Sequence, residues 1–206
     1  MLFQSDRFLG GGLREPFVFL FAHGTTGGAH SPWMTDWARR LSAVGSVYRF
    51  EYGFARHGLP FSEDLPGLVD SHRLALRELI HMASAPVVLV GKSLGAWVSC
   101  HVASFEPVSA VISLGFPLCS PAAGTAERGD ALTLVNCPLL LVQGDRDPLC
   151  PPPLLQPYER KEAPVRLIEW VRGADHSLRV RGQPSLQLSR DEQVVDSIRS
   201  FLSTYV

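Results

Sequence analysis

Six short strand-like runs constrain this chain more than any other feature. They cover residues 17–22, 46–52, 86–90, 110–114, 138–142 and 165–170, and most are continuously apolar. Unbroken apolar runs of strand length fit strands buried on both faces. Between them the apolar period changes to that of a helix. Ser31-Pro32, a capping residue and a favourable first helical residue, precedes Trp33, Trp37, Leu41 and Val44. Asp64-Leu65-Pro66 opens what reads as the longest helix, with Leu65, Leu68, Val69, His72, Leu76, Leu79 and Ile80 on one stripe. A small-residue helix follows from 94 to 105. A last helix is expected from Ser189, where Ser189 and Glu192 have capping-box spacing.

Strands alternating with helices predict an α/β fold with a mainly parallel sheet of about six or seven strands. Right-handed crossovers place helices on both faces of such a sheet. Functional side chains then gather beyond the carboxyl ends of the strands. No repeat or low-complexity linker divides the 206 residues, so one domain over 1–206 is expected. A chain of this length can bury roughly 70% of its unfolded surface, enough to fold without a metal or disulfide.

Charge and spacing exclude several functions. Nineteen Lys+Arg against 20 Asp+Glu leave no electrostatic footprint for nucleic acid or an acidic membrane. No apolar run approaches the ~20 residues of a membrane span. The residues MLFQSDRFLGGG lack the pattern of a secretory signal. Cys100, Cys119, Cys137 and Cys150 form no C-x-x-C pair, and no two histidines are three or four apart. No metal site is expected, and free thiols point to a reducing cytoplasm.

Gly91-Lys92-Ser93-Leu94-Gly95 fits G-x-S-x-G, directly after an apolar strand and at the start of a helix. That setting is what a nucleophile elbow requires, with the serine on a strained turn and glycines permitting close backbone approach. Gly91-Lys92-Ser93 also resembles the end of a phosphate-binding loop. Pro86 stands where the first glycine would fall, and the residues between form a strand, so no phosphate cradle can form. Ser93 is the candidate nucleophile.

A serine nucleophile needs an imidazole base and a carboxylate to orient it, in the chain order Ser, Asp, His for this elbow. Asp145 and Asp147 compete for the acid in the loop after 138–142. His176, the last histidine, follows 165–170 and is the candidate base. Its neighbour Asp175 is expected to be solvated. His23-Gly24-Thr25-Thr26 follows the first apolar run, where a backbone N–H completes an oxyanion hole. Thr25 is the expected donor, with Thr26 the near alternative, and Leu94 supplies the second N–H. His23 reads as structural.

These stations together resemble the α/β-hydrolase superfamily over nearly the whole chain. The nearest likeness is to the small lid-less branch related to dienelactone hydrolases. That branch includes bacterial proteins similar to a testis-expressed protein and to a subunit of a chromatin acetyltransferase complex. The resemblance is carried by His23-Gly24, the elbow, Gly115-Phe116-Pro117-Leu118, Gln143-Gly144-Asp145-Arg146-Asp147 and Ala174-Asp175-His176-Ser177-Leu178. It implies Ser93, Asp147 and His176 as the triad, so that Asp147 is preferred to Asp145, and no cofactor. It also leaves a binding or scaffold role without turnover as the second reading. About twenty residues separate the fourth run from the fifth, too few for a cap domain, so the expected partner is a small acyl substrate. Thr26, Phe54, Arg56 and Lys92 are candidate substrate-binding residues, although Lys92 reads more simply as pointing to solvent.

Overall fold

Along each central strand, successive side chains leave on opposite faces of the sheet. Phe19 and Phe21 enter one core while Leu20 and Ala22 enter the other. Val88 and Val90 part from Leu89 in the same way, Ile112 from Val111, and Val142 from Leu141. All of these side chains are buried. The computed structural model describes residues 3–6, 16–61, 64–119, 125–180, 182 and 184–206.

In chain order the elements are β1 (Phe3–Asp6), β2 (Val18–Ala22), α1 (Pro32–Leu41), β3 (Ser46–Phe50), α2 (Gly53–Arg56) and α3 (Leu65–Met82). They continue with β4 (Val87–Lys92), α4 (Leu94–Ala103), β5 (Ala110–Leu114), α5 (Gly129–Leu134), β6 (Leu139–Gly144), α6 (Pro152–Leu155), β7 (Arg166–Val171) and α7 (Pro184–Tyr205). The sheet order is β1-β3-β2-β4-β5-β6-β7. Strands β2 to β7 run parallel, and β1 pairs antiparallel with β3. Helices α1 and α7 cover one face through Met34, Trp37, Leu41, Ile198, Phe201 and Leu202. Helices α3, α4 and α5 cover the other through Leu68, Leu76, Leu79, Val98 and Leu132. Among the described residues the connection from β5 to β6 carries only the short α5, with no cap domain, and no helix is long and apolar enough to cross a membrane.

The caps at Ser31 and Asp64 form as expected. Ser31 Oγ accepts from Met34 N, and Asp64 Oδ1 accepts from Gly67 N at 3.2 Å. Two expectations are corrected, and one strand is added to the six runs. The last helix begins at Pro184, so Ser189 and Glu192 lie inside it and form no cap; a proline suits a helical first turn, where its missing N–H costs no intrahelical hydrogen bond. That helix, with 22 residues, is longer than α3 with 18. Strand β1 carries no apolar run of its own, and it exists through pairing with the edge of β3.

His72 shows how the core tolerates a polar ring. It is fully buried on α3 and stacks on Phe50 with ring centroids 4.9 Å apart. Its Nδ1 lies 3.3 Å from Tyr52 Oη. Burial, helped by the nearby His23, lowers its pKa from 6.5 to about 3. Between those two values the unfolded chain binds a proton that the native state refuses, so stability falls as pH drops below 6.5. His72→Phe keeps a ring against Phe50 and removes the titration. We predict that this variant loses less stability on acidification, by on the order of a few kcal/mol. Urea unfolding at several pH values between 6.5 and 4 measures this, and parallel pH slopes for both proteins would contradict it.

Candidate active site

The site begins with the turn from β4 to α4. Ser93 caps α4 with φ 51° and ψ −113°, in a region that non-glycine residues avoid. Such a conformation persists only where its surroundings enforce it. Two glycines do so. A Cβ on Gly91 would overlap the Ala96 backbone, and one on Gly95 would overlap the Ala22 carbonyl. Helix α4 can therefore sit directly against β4 and β2, which lifts the Ser93 side chain above the sheet.

His176 stands on the loop after β7. Its Nε2 lies 2.9 Å from Ser93 Oγ, and its Nδ1 lies 2.7 Å from Asp147 Oδ2. Asp147 stands on the loop after β6, with its carboxylate fully buried. Oδ2 also accepts from Gln143 Nε2 at 2.5 Å, and Oδ1 accepts from Leu149 N at 2.8 Å. Gln143 in turn accepts from Phe116 N at 2.8 Å through Oε1. With Nδ1 donating to the carboxylate, Nε2 is left as an acceptor for the serine hydroxyl. Asp145 is placed elsewhere. Its Oδ1 accepts from Gly173 N at 2.6 Å and fastens the β6 loop to the β7 loop.

Two neighbours differ from expectation. Asp175 is half-buried and accepts from Ser177 N at 2.9 Å and Arg179 N at 3.1 Å, so it shapes the His176 loop as well as keeping part of its surface exposed. Lys92 is buried, because it ends a central strand beneath that loop. Its Nζ donates to the His176 carbonyl and lies 5.3 Å from the Trp33 ring centroid. Burial lowers its pKa to about 8, against the pull of Asp147 and Asp175 toward the charged form. Trp33 Nε1 donates to Ser177 O at 2.9 Å. The histidine loop is thus held from below by a lysine and from the side by a tryptophan.

His23 holds the loop after β2. Its Nδ1 donates to Gly24 O at 2.6 Å, and its Nε2 accepts from Tyr52 N at 3.1 Å. Burial lowers its pKa, which suits this neutral tautomer. A cleft of about 390 Å3 opens over the assembly, lined by Thr25, Thr26, Trp33, Lys92, Ser93 and His176 among others. Leu94 is the first residue of α4, where N–H groups have no intrahelical acceptor. Phe54 and Arg56 do not line this cleft. Phe54 stacks on Tyr52 at 5.9 Å and meets the edge of His23 at 5.6 Å, and Arg56 donates to Glu51 O at 3.2 Å. Strand β3 ends at Phe50, so the chain has already turned into α2 when it reaches them.

The alpha/beta hydrolase domain family matches residues 15–203. The chain belongs to that family. It is similar in structure to an alpha-beta serine hydrolase homologue from Coxiella burnetii, with 21% identity and a TM-score of 0.74 over 95% of this chain and 89% of that one. A serine hydrolase without lid from Xanthomonas campestris matches with 18% identity and a TM-score of 0.73, over 96% and 86% of the two chains. The esterase domain of a Rhodothermus marinus protein matches with 22% identity and a TM-score of 0.67, over 98% and 96%. At these identities the likeness concerns the hydrolase fold, shared here without a cap among the described residues.

Gln143 was not singled out by sequence reasoning. Its one signal is a polar residue at the end of an otherwise apolar strand that is buried throughout. Gln143→Leu would leave the Phe116 N–H and one lone pair of a buried carboxylate unpaired. We predict a loss of about 1–3 kcal/mol of stability in denaturant unfolding. A variant as stable as wild type would show that Gln143 does not support Asp147.

Proposed function

We propose that this protein is a serine hydrolase that cleaves small ester or related acyl bonds through an acyl-enzyme intermediate. The observation that carries the reading is the unbroken chain of hydrogen bonds from Ser93 Oγ through His176 to buried Asp147. In this mechanism Ser93 Oγ forms a bond to the acyl carbonyl carbon as its proton passes to His176 Nε2. The oxygen that gains charge is stabilised by the N–H groups of Thr25 and Leu94. The ester C–O bond then breaks, and His176 returns the proton to the leaving oxygen. Water repeats the sequence, with His176 taking its proton, and releases the acid and free Ser93. Asp147 orients the ring and stabilises the imidazolium.

The open cleft favours small acyl groups, because it offers little enclosed apolar surface for a long chain. The four cysteines are free, which suits the reducing cytoplasm proposed as its setting. An esterase, thioesterase, lactonase or amidase would use the same relay. Hydrolysis of 4-nitrophenyl acetate and 4-nitrophenyl decanoate tests the reading. The acetate is expected to be the better substrate. Ser93→Ala and His176→Ala are expected to lower kcat/KM at least ~1,000-fold, and Asp147→Asn at least ~100-fold. No hydrolysis above background by the wild type would instead favour a binding or scaffold role for this fold, and undiminished rates in Ser93→Ala would exclude Ser93 as the nucleophile.

A further inference from the structure

Five arginines elsewhere in this protein are paired with acids, and others, such as Arg160 and Arg166, donate to backbone carbonyls. Arg39 and Arg40 bridge to Asp36, Arg40 also to Asp191, Arg73 and Arg77 to Glu106, and Arg199 to Asp196. One cleft departs from that pattern. It has a volume of about 530 Å3 and is lined by Arg146, Arg172, Arg179 and Arg190, with Asp175 as its one acidic residue. Among the described residues none of these four guanidiniums is paired with a carboxylate. Arg190 Nε is buried without an acceptor, although its Nη1 donates to Gln193 Oε1 at 2.9 Å. Asp175 accepts from the Ser177 and Arg179 N–H groups, and its single negative charge leaves the lining with an excess of positive charge.

The position of this cleft ties it to the reaction. Arg146 precedes Asp147, Arg172 begins the turn that leads to His176, and Arg179 follows three residues after it. Arg179 lines both this cleft and the one that holds Ser93 and His176. The two loops that carry the acid and the base therefore also carry three of the four cations, and α7 supplies Arg190. Four positive charges set against one carboxylate repel one another, and a bound polyanion reduces that cost. Guanidinium forks match phosphate oxygens in pairs, which makes phosphate the anion best suited to such a lining.

We propose that this cleft binds phosphate groups on the leaving portion of the substrate. The natural substrate class is then an acyl ester or thioester whose leaving group is phosphorylated. This rests on the serine-hydrolase reading above and narrows it. For a thioester, Ser93 Oγ bonds to the acyl carbon, the C–S bond breaks, and the proton held by His176 passes to the departing sulfur. Water then releases the acid from Ser93. The phosphates stay at the arginines throughout and take no part in bond making.

Two measurements on the full chain separate this proposal from the hydrolase reading. The first is calorimetric titration with inorganic pyrophosphate, which needs no turnover. Binding is expected in wild type, weakened at least ~10-fold in Arg146→Ala/Arg172→Ala and weakened by salt. Absence of binding, or tighter binding of succinate than of pyrophosphate, overturns the phosphate site. The second is the ratio of kcat/KM for acetyl-coenzyme A to that for S-acetyl-N-acetylcysteamine, which has the same thioester without phosphate. The ratio is expected to exceed ~10 and to fall at least ~10-fold in the double variant and in Arg172→Glu. A ratio near one in wild type, or one unmoved by these substitutions, overturns the proposal while leaving the hydrolase intact. If neither thioester nor 4-nitrophenyl acetate is cleaved and pyrophosphate still binds, the hydrolase reading fails and the anion site stands.

Discussion

A buried carboxylate must find donors, and Asp147 has found three. Its side chain is closed to solvent and takes hydrogen bonds from Gln143 Nε2, Leu149 N and His176 Nδ1. Burying such a charge without partners would be prohibitive, so the loop after β6 is fixed by the need to satisfy it. That requirement sets the orientation of His176, which sets which ring nitrogen faces Ser93. The relay also reaches into the scaffold. Gln143 joins Asp147 to the Phe116 N–H beyond β5, so the acid is braced by the neighbouring strand.

The serine comes from a different constraint, that of close packing. Gly91 and Gly95 let α4 approach β4 and β2 without side-chain overlap, and Ser93 takes the strained conformation left between them. Lys92 joins the two halves. Its buried ammonium supports the His176 carbonyl and lies near the Trp33 ring, which itself holds Ser177. An elbow lysine thus positions the histidine loop, and mobility of a long cationic side chain is given up for that contact. The same loop carries Arg179 outward, so one segment serves both the relay and the charged cleft beside it.

Most of the parallel sheet was legible because burial on both faces writes itself as unbroken apolar runs. Ala110–Leu114 was read to the residue. The ends of β4 and β6 were read short, because Gly91-Lys92 and Gln143-Gly144 remain in register while no longer apolar. Strand β1 was missed, since its existence is set by the open edge of β3 and not by its own pattern. The elbow and the histidine loop were legible from spacing after strands. The choice between Asp145 and Asp147 was not settled by the residues alone, because both follow the same strand end and differ only in which loop they face. Phe54 and Arg56 were assigned to the cleft on the same strand-end rule, which fails where the chain turns into α2 before reaching them. The support that Trp33 and Lys92 give to the histidine loop depends on contacts between residues far apart in sequence, and no local pattern announces it, while Gln143 is marked only by its polarity at the end of an apolar strand.

The central claim is that Ser93 is an activated nucleophile. A fluorophosphonate probe tests it most directly, because it phosphonylates a serine only where a base accepts the hydroxyl proton. The expected result is one phosphonate per chain, mapped by peptide mass spectrometry to Ser93 and lost in Ser93→Ala and His176→Ala. An unlabelled wild-type protein, or equal labelling after Ser93→Ala, would contradict the account.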